Sequence, residues 1–134
     1  MSMIQSDTGP PTYPFVAPIE EEEFRLFPAE IENDAHIVYH GTTLSRLESI
    51  LAHGFRRNAE SGSASFAQKS FFALNYAASA RTSASPEGVV LACRVQSLIE
   101  TGVVSAGGIV HVYLDCLLPT VEAICMIPPM YVHR

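Results

Sequence analysis

One carboxylate interrupts the most apolar segment near the end of the sequence. Glu122 lies between Val121 and Ile124, in a stretch that predicts a buried strand over Val121–Met126. A carboxylate in such a strand is costly unless it has a partner or a chemical purpose, because burial disfavours its charged form. Glu122 is therefore our candidate catalytic residue. The alternative is a charge that faces water from an edge strand.

A second set of candidates is the string His40-Gly41-Thr42. The residues before it are β-prone, and they predict a buried strand over His36–His40 that ends in a tight turn at Gly41. An imidazole can donate or accept a hydrogen bond. A glycine lets a ligand approach its backbone N–H and C=O closely, because it has no Cβ. The alternative for His40 is a strand-end histidine that bonds a backbone carbonyl.

A helix with clear start and stop residues follows this string. Ser45 and Glu48 fit a capping box, and Leu47 belongs to an apolar stripe on one side of the helix. Gly54 stands where a helix C-terminus favours a left-handed residue. The sequence therefore predicts a helix over Ser45–His53, directly after the candidate string.

The remaining sequence predicts a long loop over Arg56–Lys69 and then short elements. These elements are a strand over Ser70–Leu74, a helix over Tyr76–Ser83, and strands at Val89–Val95, Val103-Val104, Ile109–Leu114 and Val121–Met126. Early alternation of strand and helix, followed by strands alone, indicates an α+β fold with few short helices. We expect a mixed or antiparallel sheet, split into two packed halves.

Composition narrows the classes of function. A chain of 134 residues that is 48% hydrophobic and 16% charged predicts one packed domain. The formal charge of -6 disfavours a nucleic-acid partner, because phosphate binding depends on Lys and Arg. The three cysteines form no CxxC pair, and the histidines show no ligand spacing, so we assign no metal. Residues 1–30 are predicted as an extended Pro-rich and acidic arm, and residues 31–134 as the domain.

The sequence shows no secretory signal and no apolar run of about 18 residues. We therefore expect no membrane association and a cytoplasmic location, with secretion by a signal-independent route left open.

The ordered set of motifs resembles the ADP-ribosyltransferase superfamily. Within it, the chain resembles the His-Tyr-Glu branch, which includes poly(ADP-ribose) polymerases and diphtheria-toxin-like enzymes. The matching features are, in chain order, His40-Gly41-Thr42, Gly54-Phe55, Ser70-Phe71-Phe72-Ala73, Asn75 to Thr82, Glu87 to Leu91, and Val121 to Ile124. The resemblance covers residues 36–134. It implies an ADP-ribosyltransferase-like split sheet and NAD as co-substrate.

The resemblance also implies roles for the candidate residues. His40, the second candidate catalytic residue, would donate to the adenosine ribose, and the backbone of Gly41, followed by Thr42, would pair with the nicotinamide carboxamide. Glu122 would bond the 2′-hydroxyl of the nicotinamide ribose. Cleavage of the glycosidic bond passes through an oxocarbenium-like ribose, which a carboxylate stabilises.

Other roles are less closely matched to the family pattern. Where the family has a tyrosine, Phe71 or Phe72 would flank the nicotinamide ring, and one of the two would face the core because alternate strand residues point to opposite sides. Tyr76 would substitute for a second tyrosine, and Ser79 would contact the carboxamide oxygen. Arg56 would bind the pyrophosphate, with a solvated surface role as its alternative.

These roles predict a mono-ADP-ribosyltransferase that moves ADP-ribose from NAD to an acceptor and releases nicotinamide. The acidic charge favours a protein acceptor over nucleic acid. Three alternatives stay open: an NAD glycohydrolase, a non-catalytic module that binds NAD or ADP-ribose, and a small protein-interaction domain.

Overall fold

The computed structural model describes residues 10–16, 26–53, 55, 63–95, 102–104, 109–113 and 119–131, and for residues 63–65, 102–104 and 109–113 it describes the backbone. The elements in these ranges follow in the order β1 (Thr12–Tyr13), α1 (Ala29–Glu32), β2 (Ile37–Thr43), α2 (Leu44–His53), β3 (Ser63–Ala67), α3 (Ser70–Ala80), β4 (Gly88–Arg94), β5 (Gly102–Val104), β6 (Ile109–Tyr113) and β7 (Thr120–Ile127). In these ranges, no helix has the length and apolar character that a membrane crossing requires.

The strands form one mixed sheet in the order β1-β7-β4-β2-β3-β6-β5. β1 pairs with β7 in parallel, and every other neighbouring pair is antiparallel. This arrangement confirms the predicted α+β fold with a mixed sheet and short helices. The predicted strands at 89–95, 103–104, 109–114 and 121–126 are confirmed within one residue at each end as β4 to β7.

The central strands β2 and β4 are apolar on both sides, and helices cover both faces of the sheet. We call the side under α3 the α3 face; its buried cluster includes Tyr39, Val90 and Ala123. We call the other side the α2 face; its buried cluster includes Val38 and Leu91. Because side chains alternate along a strand, consecutive residues of β2 belong to opposite faces.

Helix α3 lies unusually close to β2 and β4, because glycines face it. A Cβ on Gly41 would lie 2.1 Å from the carbonyl oxygen of Ala73, and a Cβ on Gly88 would lie 2.7 Å from that of Ala77. The alanines of α3 and the glycines of the two strands together bring helix and sheet into backbone contact.

The predicted strand over Ser70–Leu74 and the separate helix over Tyr76–Ser83 are wrong. One continuous helix, α3, begins at Ser70, and the strand lies earlier, at β3, inside the predicted loop. The buried residues of α3 are Ser70, Ala73, Leu74 and Ala77, spaced as one side of a helix. The adjacent Phe71 and Phe72 are typical of a strand, whereas the small residues of β3 are typical of a loop.

The predicted turn at Gly41 is also wrong. β2 continues through Gly41 to Thr43 and pairs with β4 along its whole length, from Ile37 with Arg94 to Thr43 with Gly88. The glycine serves contact with α3 rather than a change of chain direction. The helix that follows is confirmed, and it begins one residue earlier than predicted, at Leu44.

Parts of the predicted N-terminal arm belong to the domain itself. β1 pairs with β7, and Leu26 and Phe27 are buried in the α3-face cluster. The Glu32 carboxylate accepts hydrogen bonds from the backbone N–H groups of Leu26 and Phe27, each at 3.1 Å, and from the Ser70 hydroxyl at 2.6 Å. The boundary at residue 30 therefore does not separate an arm from the core. The acidic run Glu20–Glu23 lies outside the described residues.

Candidate functional site

The sheet opens between β2 and β3. Their only rung in the described part of the chain joins Tyr39 to Ala67. In this antiparallel register the next rung would join Gly41 to Ser65, and it is not formed. We call the gap beyond the Tyr39–Ala67 rung the fork. The strands on both sides of the fork still belong to one hydrogen-bonded sheet rather than to two packed halves.

The hydrogen bonds at the two ends of β2 fix the direction of its backbone groups. The Val95 N–H donates to the His36 carbonyl at 2.8 Å, and the Leu44 N–H donates to the Glu87 carbonyl at 3.0 Å. Even-numbered residues of β2 therefore direct N–H and C=O toward β4, and odd-numbered residues direct them the other way. The N–H and C=O of Gly41 consequently point into the fork, where no described strand pairs with them.

The His40 side chain lies on the α2 face at the base of the fork. Its ring centroid is 5.4 Å from that of Phe55 and 5.3 Å from that of Phe66, and the two phenylalanine rings are 5.0 Å apart. His40 is half-buried, whereas both phenylalanines are buried. The next residue on this face, Thr42, is also buried. A half-buried histidine thus stands beside the backbone groups of Gly41, which pair with no described strand on this side.

Phe66 is a site residue that the sequence analysis missed. It provides the aromatic side chain that β3 places next to His40. One signal in the sequence could have indicated Phe66, namely the expected order of strand, helix, aromatic strand and helix. The structure has this order as β2, α2, β3 and α3, with Phe66 on β3. The flanking residues of β3 are small, and this composition concealed the strand.

The predicted stacking residues do not lie in the fork. Phe71 and Phe72 are neighbours on α3, each 38% exposed, and Tyr76 is 50% exposed. Ser79 is exposed too. These side chains occupy the outer surface of the helix, while its buried side carries the alanines that contact Gly41. The expectation that one phenylalanine faces the core and the other a cleft is wrong, because it assumed a strand.

Glu122 lies at an irregular point of β7. The register with β4 shifts between Ala92 and Cys93, so that Glu122 is the extra residue of a bulge. Its carboxylate accepts a hydrogen bond from Arg94 Nε at 2.6 Å and another from Arg94 Nη2 at 3.1 Å. The same Nη2 donates to Asp34 at 2.9 Å. Glu122 therefore has an ionic partner, and the cost of its charge in an apolar strand is offset.

This ion-pair network shifts the pKa values of Arg94 and Asp34. The hydrogen bonds to Glu122 and then to Asp34 raise the pKa of Arg94 above its ordinary value. The hydrogen bond from the His36 backbone, followed by that from Arg94, lowers the pKa of Asp34. Both shifts favour the charged forms.

The structure does not bring the His40 and Glu122 side chains together. Arg94 pairs in register with Ile37, a residue of the α3-face cluster, and Asp34 follows α1 on the same side. The Glu122 carboxylate is thus held at the rim of the α3 face, whereas the His40 ring packs in the α2-face cluster. The two predicted catalytic groups address opposite faces of the sheet.

The remaining sequence candidates are Arg56, the cysteines and a metal site. Arg56, the candidate for the pyrophosphate, lies outside the described residues, as does Cys116. Burial raises the pKa of the Cys125 thiol to about 11, and burial also raises that of Cys93. Within the described ranges, no group of three or more His, Cys, Asp or Glu side chains could hold a metal ion.

Comparison with known proteins gives no relative: no family model, no curated protein and no solved structure matches this chain.

Proposed function

We propose that this chain is an NAD-binding protein of the ADP-ribosyltransferase type, with the nicotinamide carboxamide bound at the open edge of β2. The observation that carries the proposal is the fork, where Gly41 offers an N–H donor and a C=O acceptor without a described strand partner. A primary carboxamide has one acceptor and two donors in one plane. It can therefore pair with Gly41 as a neighbouring strand would.

The surroundings of Gly41 indicate where the rest of NAD would lie. Helix α3 covers the α3 face at this point, with Ala73 and Ala77 in direct contact with the glycine. The ligand must therefore extend from the fork toward the α2 face. His40 lies on that face and is half-buried, and its imidazole could bond a ribose hydroxyl there. Phe66 adds an apolar wall at the same place.

The reaction we expect of this site is transfer of ADP-ribose from NAD to a protein acceptor, with release of nicotinamide, in a compartment that contains NAD. The order of elements supports it: a His-Gly-Thr strand, a helix, an aromatic strand, a second helix and a final strand follow one another in the chain. Water in place of the protein would make the chain an NAD glycohydrolase.

A second candidate is a non-catalytic module that binds NAD or ADP-ribose. One observation favours it: Glu122 is engaged by Arg94 on the α3 face, away from the fork. Without a carboxylate beside the reacting ribose carbon, an oxocarbenium-like transition state loses its main electrostatic stabilisation. NAD would then bind without being cleaved.

The direct test varies the ligand rather than the glycine, since a side chain at position 41 would strike α3. We expect the protein to bind nicotinamide and NAD, and to bind nicotinic acid and its adenine dinucleotide at least about tenfold more weakly. Nicotinic acid lacks the donor that the Gly41 carbonyl needs, and its charge adds a desolvation cost. Calorimetry measures the affinities, and equal affinities for amide and acid would contradict the assignment.

Release of nicotinamide from NAD separates the two candidate functions. Chromatography of the reaction with and without a cell extract distinguishes a transferase, which needs an acceptor, from a glycohydrolase, which needs water alone. Binding of NAD without any release identifies the non-catalytic module.

A further inference from the structure

We infer that Phe55 is a positioning residue, which holds the His40 imidazole in one orientation across the base of the fork. This inference rests on the proposed function, because it gives His40 its place opposite the ribose part of NAD. It concerns a residue that contacts the ligand only through His40.

The geometry is that of a closed cluster of three rings. The His40 and Phe55 rings meet edge to face at 81° with centroids 5.4 Å apart, and His40 meets Phe66 at 54° and 5.3 Å. Phe55 and Phe66 themselves meet at 67° and 5.0 Å. Each ring therefore contacts the other two, and the imidazole is flanked by phenylalanine rings from two elements.

Phe55 and Phe66 approach His40 from different elements. Phe66 belongs to β3, across the fork, and is 3% exposed. Phe55 follows α2, packs in the cluster that includes Leu47 of that helix, and is 9% exposed. Phe55 thus couples the position of α2 to the side chain at the fork.

An ordered imidazole favours ligand binding. A free histidine side chain must lose rotamer freedom when it bonds a ligand, whereas a ring already held by its neighbours does not. His40 remains half-buried within the cluster, so the residue is not closed off from solvent. Loss of Phe55 would remove one of the two phenylalanine rings that contact the imidazole among the described residues.

The experiment compares Phe55→Leu with Phe55→Tyr. We expect Phe55→Leu to weaken NAD binding about three- to tenfold, the scale of one lost aromatic contact, while free nicotinamide binds as before. Nicotinamide reaches Gly41 alone, so a general loss of structure would weaken both ligands equally. Phe55→Tyr keeps the ring and should keep the wild-type affinity for NAD.

Two controls isolate the effect from stability. Leu47→Ala removes a buried side chain of the same cluster that makes no ring contact with His40. It should lower the Tm at least as much as Phe55→Leu and leave the NAD affinity of the folded protein unchanged. In a double-mutant cycle, Phe55→Leu should have no further effect on NAD affinity in a His40→Ala background.

A measurement without ligand keeps the inference testable on its own. Three-bond NMR couplings across the His40 χ1 torsion should report one rotamer in the wild type and an average over several in Phe55→Leu. A single rotamer in both proteins would overturn the positioning role. If the wild type binds neither NAD nor nicotinamide, the proposed function fails, and the couplings still decide whether Phe55 orders His40.

Discussion

The fork and the Glu122 end of the sheet differ in how their polar groups are bonded. At the fork, Gly41 directs backbone groups into a gap between two strands, and a half-buried imidazole lies beside them. At the other end, Glu122 and Asp34 both bond Arg94. A costly polar group indicates either a partner within the protein or a ligand outside it. Among the described residues, the Glu122 end is of the first kind, and we propose that the fork is of the second.

The comparison changes how a charge in an apolar strand is interpreted. A carboxylate at position 122 needs a partner or a chemical purpose, and Arg94 is that partner. Arg94 is 28 residues away in sequence, and antiparallel pairing of β4 with β7 makes them neighbours. No spacing within the final segment could have indicated this pair.

The first prediction concerns the tightest point of the fork. Gly41→Val should destabilise the fold by at least about 3 kcal/mol, the upper end of the range for overpacked cores. Its Cβ would lie 2.1 Å from a backbone oxygen of α3, which cannot rotate away as a side chain could. Thermal unfolding followed by circular dichroism measures the effect. His40→Val, one residue earlier and on the opposite face, is the matched control and should stay folded.

A folded Gly41→Val protein that merely loses NAD would support a different interpretation of this glycine. It would mean that the glycine leaves space for the carboxamide, as the sequence alone suggested, and that the contact with α3 can relax.

Most strands and helix α2 could be predicted from the sequence, and the elements that were predicted wrongly have identifiable physical causes. Runs such as Val89–Val95 and Ile109–Leu114 predict strands because β-branched residues dominate them, and α2 is predicted by its spacing and its flanking glycine. The start of α3 was missed because Phe71 and Phe72 suggest a strand, whereas Ala73 and Ala77 show the helical period that decides. The fork residue Phe66 stands among small residues, so local composition hid it.

The second prediction contrasts the two regions directly. His40→Ala should weaken NAD binding about tenfold, since it removes one hydrogen bond and its ordered donor. Glu122→Gln should leave NAD affinity unchanged, because its side chain lies on the other face of the sheet. Calorimetry on both variants measures the affinities, and Arg94→Met serves as a control that disturbs the ion pair without touching Glu122.

Nicotinamide release sharpens the same contrast. Suppose that the wild type cleaves NAD, that Glu122→Gln abolishes the cleavage and that Arg94→Met does not. The Glu122 carboxylate must then leave Arg94 during the reaction, and the fork and the Glu122 end would act together. If Glu122→Gln and Arg94→Met both lower the Tm slightly and change nothing else, the glutamate is structural. We expect either substitution to lower the free energy of unfolding by less than about 1 kcal/mol, because the side chains of Arg94 and Glu122 are both more than a third exposed.

The smallest expected effect is the pH dependence of the ion-pair end. The folded pKa of Asp34 lies below its ordinary value of 3.8, first through the hydrogen bond from the His36 backbone and then through Arg94. A group with a lowered folded pKa stabilises the fold above its unfolded pKa and loses that contribution as the pH falls through the folded value.

Asp34→Asn keeps an oxygen for the His36 N–H and removes the charge that Arg94 binds. Its Tm should therefore be slightly below that of the wild type at neutral pH. The difference should shrink as the pH falls below about 3.8 and vanish below the folded pKa of Asp34. The fork contains no member of this network among the described residues, so the same titration of Tm with NAD bound should show the same small difference. A difference that depends on NAD would mean that the two regions communicate.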